Sequence, residues 1–218
     1  SAWETASSAG SYADAVVRAV RLGNDTDTAA AIAGGLAGIR WGVSGIPGDW
    51  LAAMRGRAIV GELLDRLLAE AGWRTSTTSP LRVDWVPVAG IPGVLGGGGA
   101  LGMTLLPGKK RRGFSGPQWR DAIADARRLR EVHGCATLLL LVEDVDLEIS
   151  RARETIPALA AAGIRVIRHP VPDMGVPRDR RAFRATLDEV MARVRAGERV
   201  VVACRGGLGR TGTAVACL

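Results

Sequence analysis

The chain has 218 residues, 47% of them apolar, and a formal net charge of +7. This size fits one large or two modest globular domains, and no apolar run approaches the roughly 18 residues that span a bilayer. Nearly all the basic residues are arginines scattered along the chain. The one basic cluster, KKRR at 109–112, lacks interleaved aromatic residues, so we expect a solvated loop there and no nucleic-acid site.

The three cysteines, Cys135, Cys204 and Cys217, are an odd number that does not form a disulfide framework and fits a reducing compartment. No basic-then-apolar leader opens the chain. We therefore predict a cytoplasmic protein in which Cys135 and Cys217 are buried apolar residues. The chain begins at a serine and stops in an apolar run eight residues after Arg210, which suggests a fragment of a longer protein.

Helical periodicity dominates up to about residue 73. Stretches 11–23, 27–42 and 58–73 carry apolar residues at helical spacing, and together they predict an all-α segment over 1–73. The apolar face of the third stretch consists of Val60, Leu63, Leu64, Leu67, Leu68 and Ala71. The polar stretch RTSTTSPLR at 74–82 breaks this pattern and is the predicted linker.

Strands and helices alternate in the remaining segment, 83–218. The predicted strands are 82–88, 136–144, 164–171 and 198–204, and the predicted helices are 116–132, 149–163 and 179–197. The last of these helices has an apolar face made of Phe183, Leu187, Val190, Met191 and Val194. This alternation predicts an α/β domain with a central sheet flanked by helices. The tract GGGG at 96–99 is expected to lengthen an early hairpin or loop.

The stretch CRGGLGRTG at 204–212 follows the last predicted strand. A strand ending at Cys204, a loop containing Gly206, Gly207 and Gly209, and a helix starting near Arg210 would direct several backbone N–H groups into one concavity, which suits a phosphate. The Arg210 guanidinium can donate to two phosphate oxygens at once. The same positive field lowers the pKa of a thiol, so Cys204 is the predicted nucleophile.

Two further residues complete the predicted chemistry. The Thr211 hydroxyl can donate to the sulfur and help it leave an intermediate. Asp173, in the proline-rich stretch HPVPDMGVP at 169–177, is the candidate general acid. The alternative is that Asp173 only shapes a turn. His169 is interpreted as a strand-end residue and not as a catalyst.

Other interpretations of the glycine-rich stretch are weaker. GLGRTG at 207–212 matches the dinucleotide fingerprint G-x-G-x-x-G, but that motif explains neither Cys204 nor Arg210, and the chain ends before its acidic residue about 20 positions later. A nucleotide-binding P-loop is excluded because no Gly-Lys-Ser/Thr is present. A buried cysteine that ends a strand before a glycine-rich turn is the purely structural alternative.

Residues from about 80 to 218 resemble the cysteine-dependent protein phosphatases, specifically the dual-specificity branch similar to cyclin-dependent kinase inhibitor phosphatases. The resemblance is carried by CRGGLGRTG, by HPVPDMGVP and by LGMTLLPGKK at 101–110. It implies Cys204 as nucleophile, Asp173 as acid, and hydrolysis of a phosphorylated protein or small phosphate ester without a cofactor. The phosphate loop that it implies consists of Arg205, Gly206, Gly207, Leu208, Gly209 and Arg210.

The chain departs from this family at one position. The family usually has a histidine immediately before the nucleophile, where this chain has Ala203. Loss of that histidine keeps a second hypothesis open, a non-catalytic module that binds phosphate without turnover.

The stretch GNDTDT at 23–28 opens the second predicted helix. Asp25, Asp27 and Thr28 provide hard oxygen ligands suited to Mg²⁺, although simple N-capping explains the same residues. An EF-hand is excluded because Ala30 and Leu36 occupy the positions of its glycine and glutamate.

The longer stretch from this motif to Trp50 resembles the C-terminal metal-binding segment of the ADP-ribosylglycohydrolases, an all-helical family that uses paired Mg²⁺ to release ADP-ribose. The resemblance covers about 70 residues and implies that Asp25, Asp27 and Thr28 are metal ligands. The acidic N-terminal metal motif of that family is missing here, so Mg²⁺-dependent hydrolysis of an ADP-ribosylated substrate is a third hypothesis, for the parent protein. The sequence thus predicts a fused pair, 1–73 and 83–218, that ends soon after the phosphate loop.

Overall fold

Residues 1–87, 99–113 and 116–218 are described by a computed structural model. The chain forms two units, Ser1–Gly61 and Glu62–Leu218. Within the described residues, no helix has the length and apolar character that crossing a membrane requires.

The first unit is helical. Its elements are α1 (Ala2–Ser8), α2 (Tyr12–Arg21), α3 (Thr26–Trp41), a 3₁₀ turn (Val43–Gly45) and α4 (Gly48–Ala53), and α5 (Arg57–Glu70) follows. Side chains of Ser1, Ser11 and Asp25 cap the first three helices by accepting backbone N–H groups. A small core of alanines, including Ala15 and Ala37, lets these helices approach closely. The predicted helices at 11–23, 27–42 and 58–73 are confirmed.

Helix α5 differs from the expectation in one respect. Much of its predicted apolar face is exposed, with Val60, Leu63, Leu64 and Leu67 between 45% and 64% accessible. Periodicity therefore identified the helix, but not a buried face.

The second unit is an α/β domain. Its strands are β1 (Arg74–Thr75), β2 (Asp84–Trp85), β3 (Ala100–Leu105), β4 (Lys110–Gly113), β5 (Gly116–Trp119), β6 (Thr137–Leu140), β7 (Arg165–Arg168) and β8 (Arg199–Cys204). Its helices after α5 are α6 (Ala122–Glu131), α7 (Asp144–Ile149), α8 (Thr155–Ala161), α9 (Arg180–Arg195) and α10 (Gly209–Ala216). The main sheet has the order β2-β3-β8-β6-β7, and only β2 is antiparallel to its neighbour. The smaller sheet has the order β1-β5-β4.

The main sheet is buried on both faces, as its parallel strands require. Successive residues of β6 and β8 alternate between two cores because side chains on a strand alternate in direction. One core contains Leu138 and Val201 with residues of α6 and α8, and the other contains Leu139 and Val202 with residues of α9. All five residues predicted for the apolar face of α9 are buried there. The predicted α/β class, a central sheet between helices, is confirmed.

Two predicted helices were too long. The stretch 116–132 begins with strand β5, because Gly116 adopts a φ of +80° and the segment pairs with β4; the helix starts only after the Asp121 cap. The stretch 149–163 is not one helix, since Ile149 ends α7 and α8 starts at Thr155. Between them Arg151 has a φ of +49°, which a continuous helix does not allow.

Two expectations were wrong, one for the basic cluster at 109–112 and one for Cys217. The basic cluster at 109–112 is not a solvated loop, because Lys109 is only 2% exposed and β4 pairs antiparallel with β5. Cys217 is exposed, near the end of the last helix, whereas the predicted burial of Cys135 is confirmed.

Residues 74–82, the predicted linker, lie in the second unit. They contain β1, which pairs parallel with β5, and both Thr75 and Leu81 are buried. The Ser76 hydroxyl donates to Asp125 Oδ1 at 2.8 Å. The domain limits 1–73 and 83–218 stay a prediction. Of the predicted GGGG loop, 96–98 lie outside the described residues, and Gly99 directly precedes β3.

Candidate active site

The carboxyl ends of four parallel strands meet at one edge of the main sheet. The segment that carries Lys109 follows β3, helix α7 with Asp146 follows β6, the segment with Asp173 follows β7, and the loop 205–208 follows β8. In open α/β sheets, ligands bind at this edge. Ion pairs and hydrogen bonds join residues from all four segments there.

The loop after β8 depends on one glycine in particular. Gly207 has a φ of +73°, and a Cβ at this position would lie 2.7 Å from the carbonyl carbon of Thr104 and from the backbone nitrogen of Leu105. The close approach follows from register, because Leu105 pairs with Cys204 across β3 and β8. Only glycine satisfies both the conformation and the space.

Cys204 lies at the base of this loop and is 3% exposed. Burial by itself acts to raise the thiol pKa. Interactions with the Thr211 hydroxyl and with the backbone N–H groups of Thr211, Gly206 and Gly207 outweigh that effect, so the pKa of Cys204 is lower than its ordinary value. Among the groups that lower this pKa, the buried Thr211 hydroxyl has the largest effect.

The Arg210 side chain is buried on the first turn of α10. Its Nη1 donates to Asp146 Oδ2 at 2.6 Å and to the carbonyl oxygen of Val171 at 2.8 Å. Its Nη2 lies 3.2 Å from Asp173 Oδ1 but makes no hydrogen bond within the part of the chain that the structure describes. One donor of the guanidinium is thus anchored, while the other is buried beside the loop and available to an anion.

Asp173 lies in a tight turn after β7. The N–H of Gly175 donates to the carbonyl of Pro172 at 3.1 Å, which closes the turn. The Asp173 carboxylate is 38% exposed and forms ion pairs with Arg210 and Arg205, the latter through Nη2 to Oδ2. The predicted acid and the predicted phosphate loop are therefore adjacent.

Asp146 is a site residue that sequence reasoning missed. Its carboxylate, 2% exposed, accepts from Arg210 and, at 3.3 Å, from Arg205 Nη1. The backbone N–H of Glu143 also donates to it, in the capping box that starts α7. An acidic residue soon after a buried parallel strand was the available signal.

Lys109 is the second residue that was missed. Its Nζ donates to the carbonyl oxygen of Arg205 at 3.3 Å. Burial is the largest influence on its pKa, which is lowered; Arg205 and Arg111 act in the same direction, and Cys204 acts in the opposite one. Lys109 follows β3 at the carboxyl edge of the parallel strands, and this position could have indicated a role in the site.

Ala203 and His169 make contacts typical of structural residues. Ala203 is fully buried in the sheet, and its carbonyl accepts the N–H of Leu141 at 2.9 Å. His169 Nδ1 lies 2.9 Å from the Thr186 hydroxyl, and its ring packs on Phe183. Burial lowers the His169 pKa against the effect of Asp179. The histidine is thus held by Thr186 and Phe183 of α9.

A groove of about 250 Å³ adjoins the loop at Gly206, Gly207 and Leu208. Its lining includes the buried Thr104 and Arg120 and the exposed Arg82. The Arg120 guanidinium is neutralised by a bidentate ion pair with Asp125.

In the first unit, Asp25, Asp27 and Thr28 lie together at the start of α3. Asp25 Oδ1 accepts the Thr28 N–H at 3.4 Å as an N-cap, and interactions with Asp27 and then Thr28 lower the Asp25 pKa. Two carboxylates and a hydroxyl suit Mg²⁺, but the described residues contain no group of three His, Cys, Asp or Glu side chains that could hold a metal ion. These residues fit capping and do not complete a metal site, so the magnesium assignment stays a prediction.

Two sequence families match this chain. Residues 1–76 match the family described as ADP-ribosylglycohydrolase, and residues 112–218 match the family described as polymorphic toxin system, DSP-PTPase phosphatase. No match was found among curated proteins.

Solved structures resemble the second unit. A kinase associated phosphatase whose catalytic-site cysteine is replaced by serine is 22% identical, with 64% of this chain and 73% of that chain covered and a TM-score of 0.55. This similarity establishes a phosphatase-like fold. Tk-PTP in its active form is 26% identical over 52% of this chain and 63% of its own, with a TM-score of 0.38.

Proposed function

We propose, for a chain in which an ADP-ribosylglycohydrolase segment precedes a DSP-PTPase phosphatase domain, that the second unit hydrolyses phosphomonoesters through a cysteinyl-phosphate intermediate. The observation that carries the proposal is a buried donor, Arg210 Nη2, that makes no hydrogen bond among the described residues and lies beside a thiol of lowered pKa. Buried donors without partners are rare, and a bound phosphate would satisfy the arginine.

Phosphate binding in this proposal uses the loop and one arginine. The N–H groups of Gly206 and Gly207 lie close enough to the sulfur to influence its ionisation, so a phosphorus atom above Cys204 would meet the same donors. Arg210 would turn its Nη2 from Asp173 to the phosphate, while Asp146 and Val171 hold Nη1. Charge neutralisation and orientation would then come from a residue already fixed in place.

The chemistry then proceeds in two steps. The Cys204 thiolate attacks phosphorus, the ester P–O bond breaks, and Asp173 gives a proton to the leaving oxygen. Water next attacks the cysteinyl-phosphate and gives a proton to Asp173. The S–P bond breaks, inorganic phosphate leaves, and Thr211 stabilises the returning thiolate.

The test is hydrolysis of a small aryl phosphate in the presence of EDTA. We expect turnover in the parent chain, loss of more than roughly 10⁴-fold in Cys204→Ser, and loss of roughly 10²- to 10⁴-fold in Asp173→Asn. Two matched controls, Cys217→Ser and Asp188→Asn, change an exposed thiol and an exposed carboxylate on the flanking helices, and should retain turnover.

Other outcomes would favour the alternatives. Saturable binding of phosphate or a phosphopeptide without turnover would support a non-catalytic module, consistent with Ala203 before the cysteine. Turnover that survives Cys204→Ser would exclude the cysteinyl-phosphate mechanism. Equal activity of Asp173→Asn and the parent chain would remove the acid role.

The helical segment carries a separate proposal. Its match to the ADP-ribosylglycohydrolase family supports release of ADP-ribose by the parent protein, dependent on Mg²⁺ and unaffected by Cys204→Ser. Asp25, Asp27 and Thr28 at the start of α3 are the proposed ligands.

A further inference from the structure

Lys109 is a buried cation without an acidic partner. It is 2% exposed, and among the described residues it forms no ion pair with Asp or Glu, whereas the other buried cations, Arg120 and Arg210, both do. An unpaired charge inside a protein is strongly unfavourable. A nearby anion of another kind would explain how this ammonium is retained.

The backbone around Lys109 is fixed from both sides. Its carbonyl accepts the N–H of Arg120 at 3.1 Å, and the next residue donates its N–H to the carbonyl of Ser150 at 2.8 Å. The N–H of Gly108 donates to the buried Asp125 at 2.9 Å. These hydrogen bonds, one of them to the Asp125 of the Arg120–Asp125 ion pair, fix the backbone on both sides of Lys109. They therefore fix the direction in which its side chain leaves the backbone.

Space for the ammonium depends on a glycine in β4. A Cβ at Gly113 would lie 2.9 Å from Lys109 Nζ, so any larger residue there would displace it. The Nζ instead reaches the carbonyl oxygen of Arg205, the first residue of the phosphate loop. This contact fixes the peptide plane between Arg205 and Gly206, and the N–H of Gly206 in that plane acts on the Cys204 sulfur.

The anion that fits this requirement is the Cys204 thiolate, whose negative charge acts to raise the Lys109 pKa. The groups that face this sulfur or the lysine come from every neighbouring segment. The cations are Arg205, Arg210 and Arg111, and the carboxylates are Asp146 and Asp173. Both carboxylates are already paired with the loop arginines, so the thiolate, and later the phosphate, is left for Lys109.

We propose that Lys109 is a positioning residue for the phosphate loop, whose buried ammonium holds the Arg205 carbonyl and supplies the counter-charge of the Cys204 thiolate. This rests on the proposed function, because it assigns an electrostatic role within the same site. Loss of the charge raises the free energy of the thiolate and weakens the binding of an oxyanion above it.

The experiment measures the pH dependence of Cys204 alkylation by iodoacetamide in a Cys217→Ser background. Lys109→Gln removes the charge and retains a donor for the Arg205 carbonyl, whereas Lys109→Met removes both. Lys110→Met is the matched control. Lys110 directly follows Lys109, and no described hydrogen bond joins its side chain to the phosphate loop. Tungstate serves as the oxyanion probe in a protection assay.

We expect both Lys109 variants to move the alkylation midpoint upward by about one pH unit, which makes alkylation roughly tenfold slower on the acid side, and to weaken tungstate protection by a similar factor. Lys110→Met should leave both unchanged. A folded Lys109→Gln variant with the parent midpoint would overturn the proposal. If Lys109→Met does not fold, Lys109→Gln decides the same question.

Alkylation requires no turnover, so the two proposals fail separately. A parent chain with a low midpoint but no aryl phosphate hydrolysis would refute the phosphatase and leave the role of Lys109 intact. Aryl phosphate hydrolysis by the parent chain, together with an unchanged alkylation midpoint in Lys109→Gln, would support the phosphatase and refute the role of Lys109.

Discussion

Two cysteines at opposite ends of the main sheet show what the phosphate loop adds to a thiol. Cys135 precedes β6 at its amino end, and Cys204 ends β8 at its carboxyl end. Both are almost fully buried. Burial raises the pKa of Cys135 to about 12, whereas the pKa of Cys204 is lowered. Residue type and burial are alike in the two regions, so neither explains the difference.

The difference lies in the hydrogen bonds that each sulfur makes. The Cys135 thiol donates to the carbonyl oxygen of Thr137 at 3.3 Å. Backbone hydrogen bonds of Val201 and Thr137 act to lower its pKa, but burial outweighs them. The Cys204 sulfur meets the loop and helix N–H groups and the Thr211 hydroxyl, all of which favour the thiolate. The carboxyl end of a parallel strand followed by a helix N-terminus supplies enough such donors to outweigh burial, whereas the hydrogen bonds of Cys135 at the amino end do not.

The largest expected contrast is in labelling. At pH 7 a thiol with a pKa of about 12 is ionised in roughly one molecule in 10⁵, so Cys135 should be almost inert in the folded protein. We expect iodoacetamide to modify Cys204 at least roughly 10³-fold faster than Cys135, measured for each cysteine by mass spectrometry. Tungstate should protect Cys204 alone. Similar rates for the two would mean that the loop does not activate its thiol.

The next prediction removes the shape of the loop. Gly207→Ala places a methyl group against the backbone of Thr104 and Leu105 at a φ of +73°. We expect roughly 1–3 kcal/mol of lost stability and a fall of roughly 10²-fold in kcat/KM, because the N–H groups no longer converge on the sulfur. Thermal unfolding and aryl phosphate hydrolysis measure the two effects.

Gly212→Ala is the control for that substitution. A Cβ at Gly212 meets open space within α10, so this variant should be as stable as the parent chain or slightly more stable. If Gly207→Ala retained both stability and rate, the close packing of the loop against β3 would not be what makes Cys204 differ from Cys135.

Patterns within short stretches of sequence predicted much of this molecule. Helix α9 and its five buried residues follow from periodicity, and CRGGLGRTG identified a strand, a loop and a helix around Cys204. In each case the information lies within a few turns or strand residues, where local backbone chemistry determines the structure.

What the sequence did not predict depends on distant partners. Strand β5 was taken for helix; its antiparallel partner β4 directly precedes it, but its parallel partner β1 lies 44 positions earlier, at Arg74 opposite Gln118. Lys109 and Asp146 are separated from Cys204 by 95 and 58 positions in sequence, and only the order of strands in the sheet brings their segments to one edge. A solvated basic loop was a reasonable expectation until pairing with β5 showed that the lysine before it is buried.

The smallest effect tests the hydroxyl at the base of the loop. Thr211→Val keeps the side-chain volume and removes the O–H that acts on the Cys204 sulfur, so the thiol pKa should rise by about one unit. The reactive thiolate is lost as the pH falls through the folded-state pKa, and the acid limb of kcat/KM should therefore move to higher pH. Thr213→Val, two positions along and exposed, is the control, because its hydroxyl donates to the carbonyl of Gly209 and not to the sulfur. An unshifted limb in Thr211→Val would assign the activation of Cys204 to the backbone N–H groups alone.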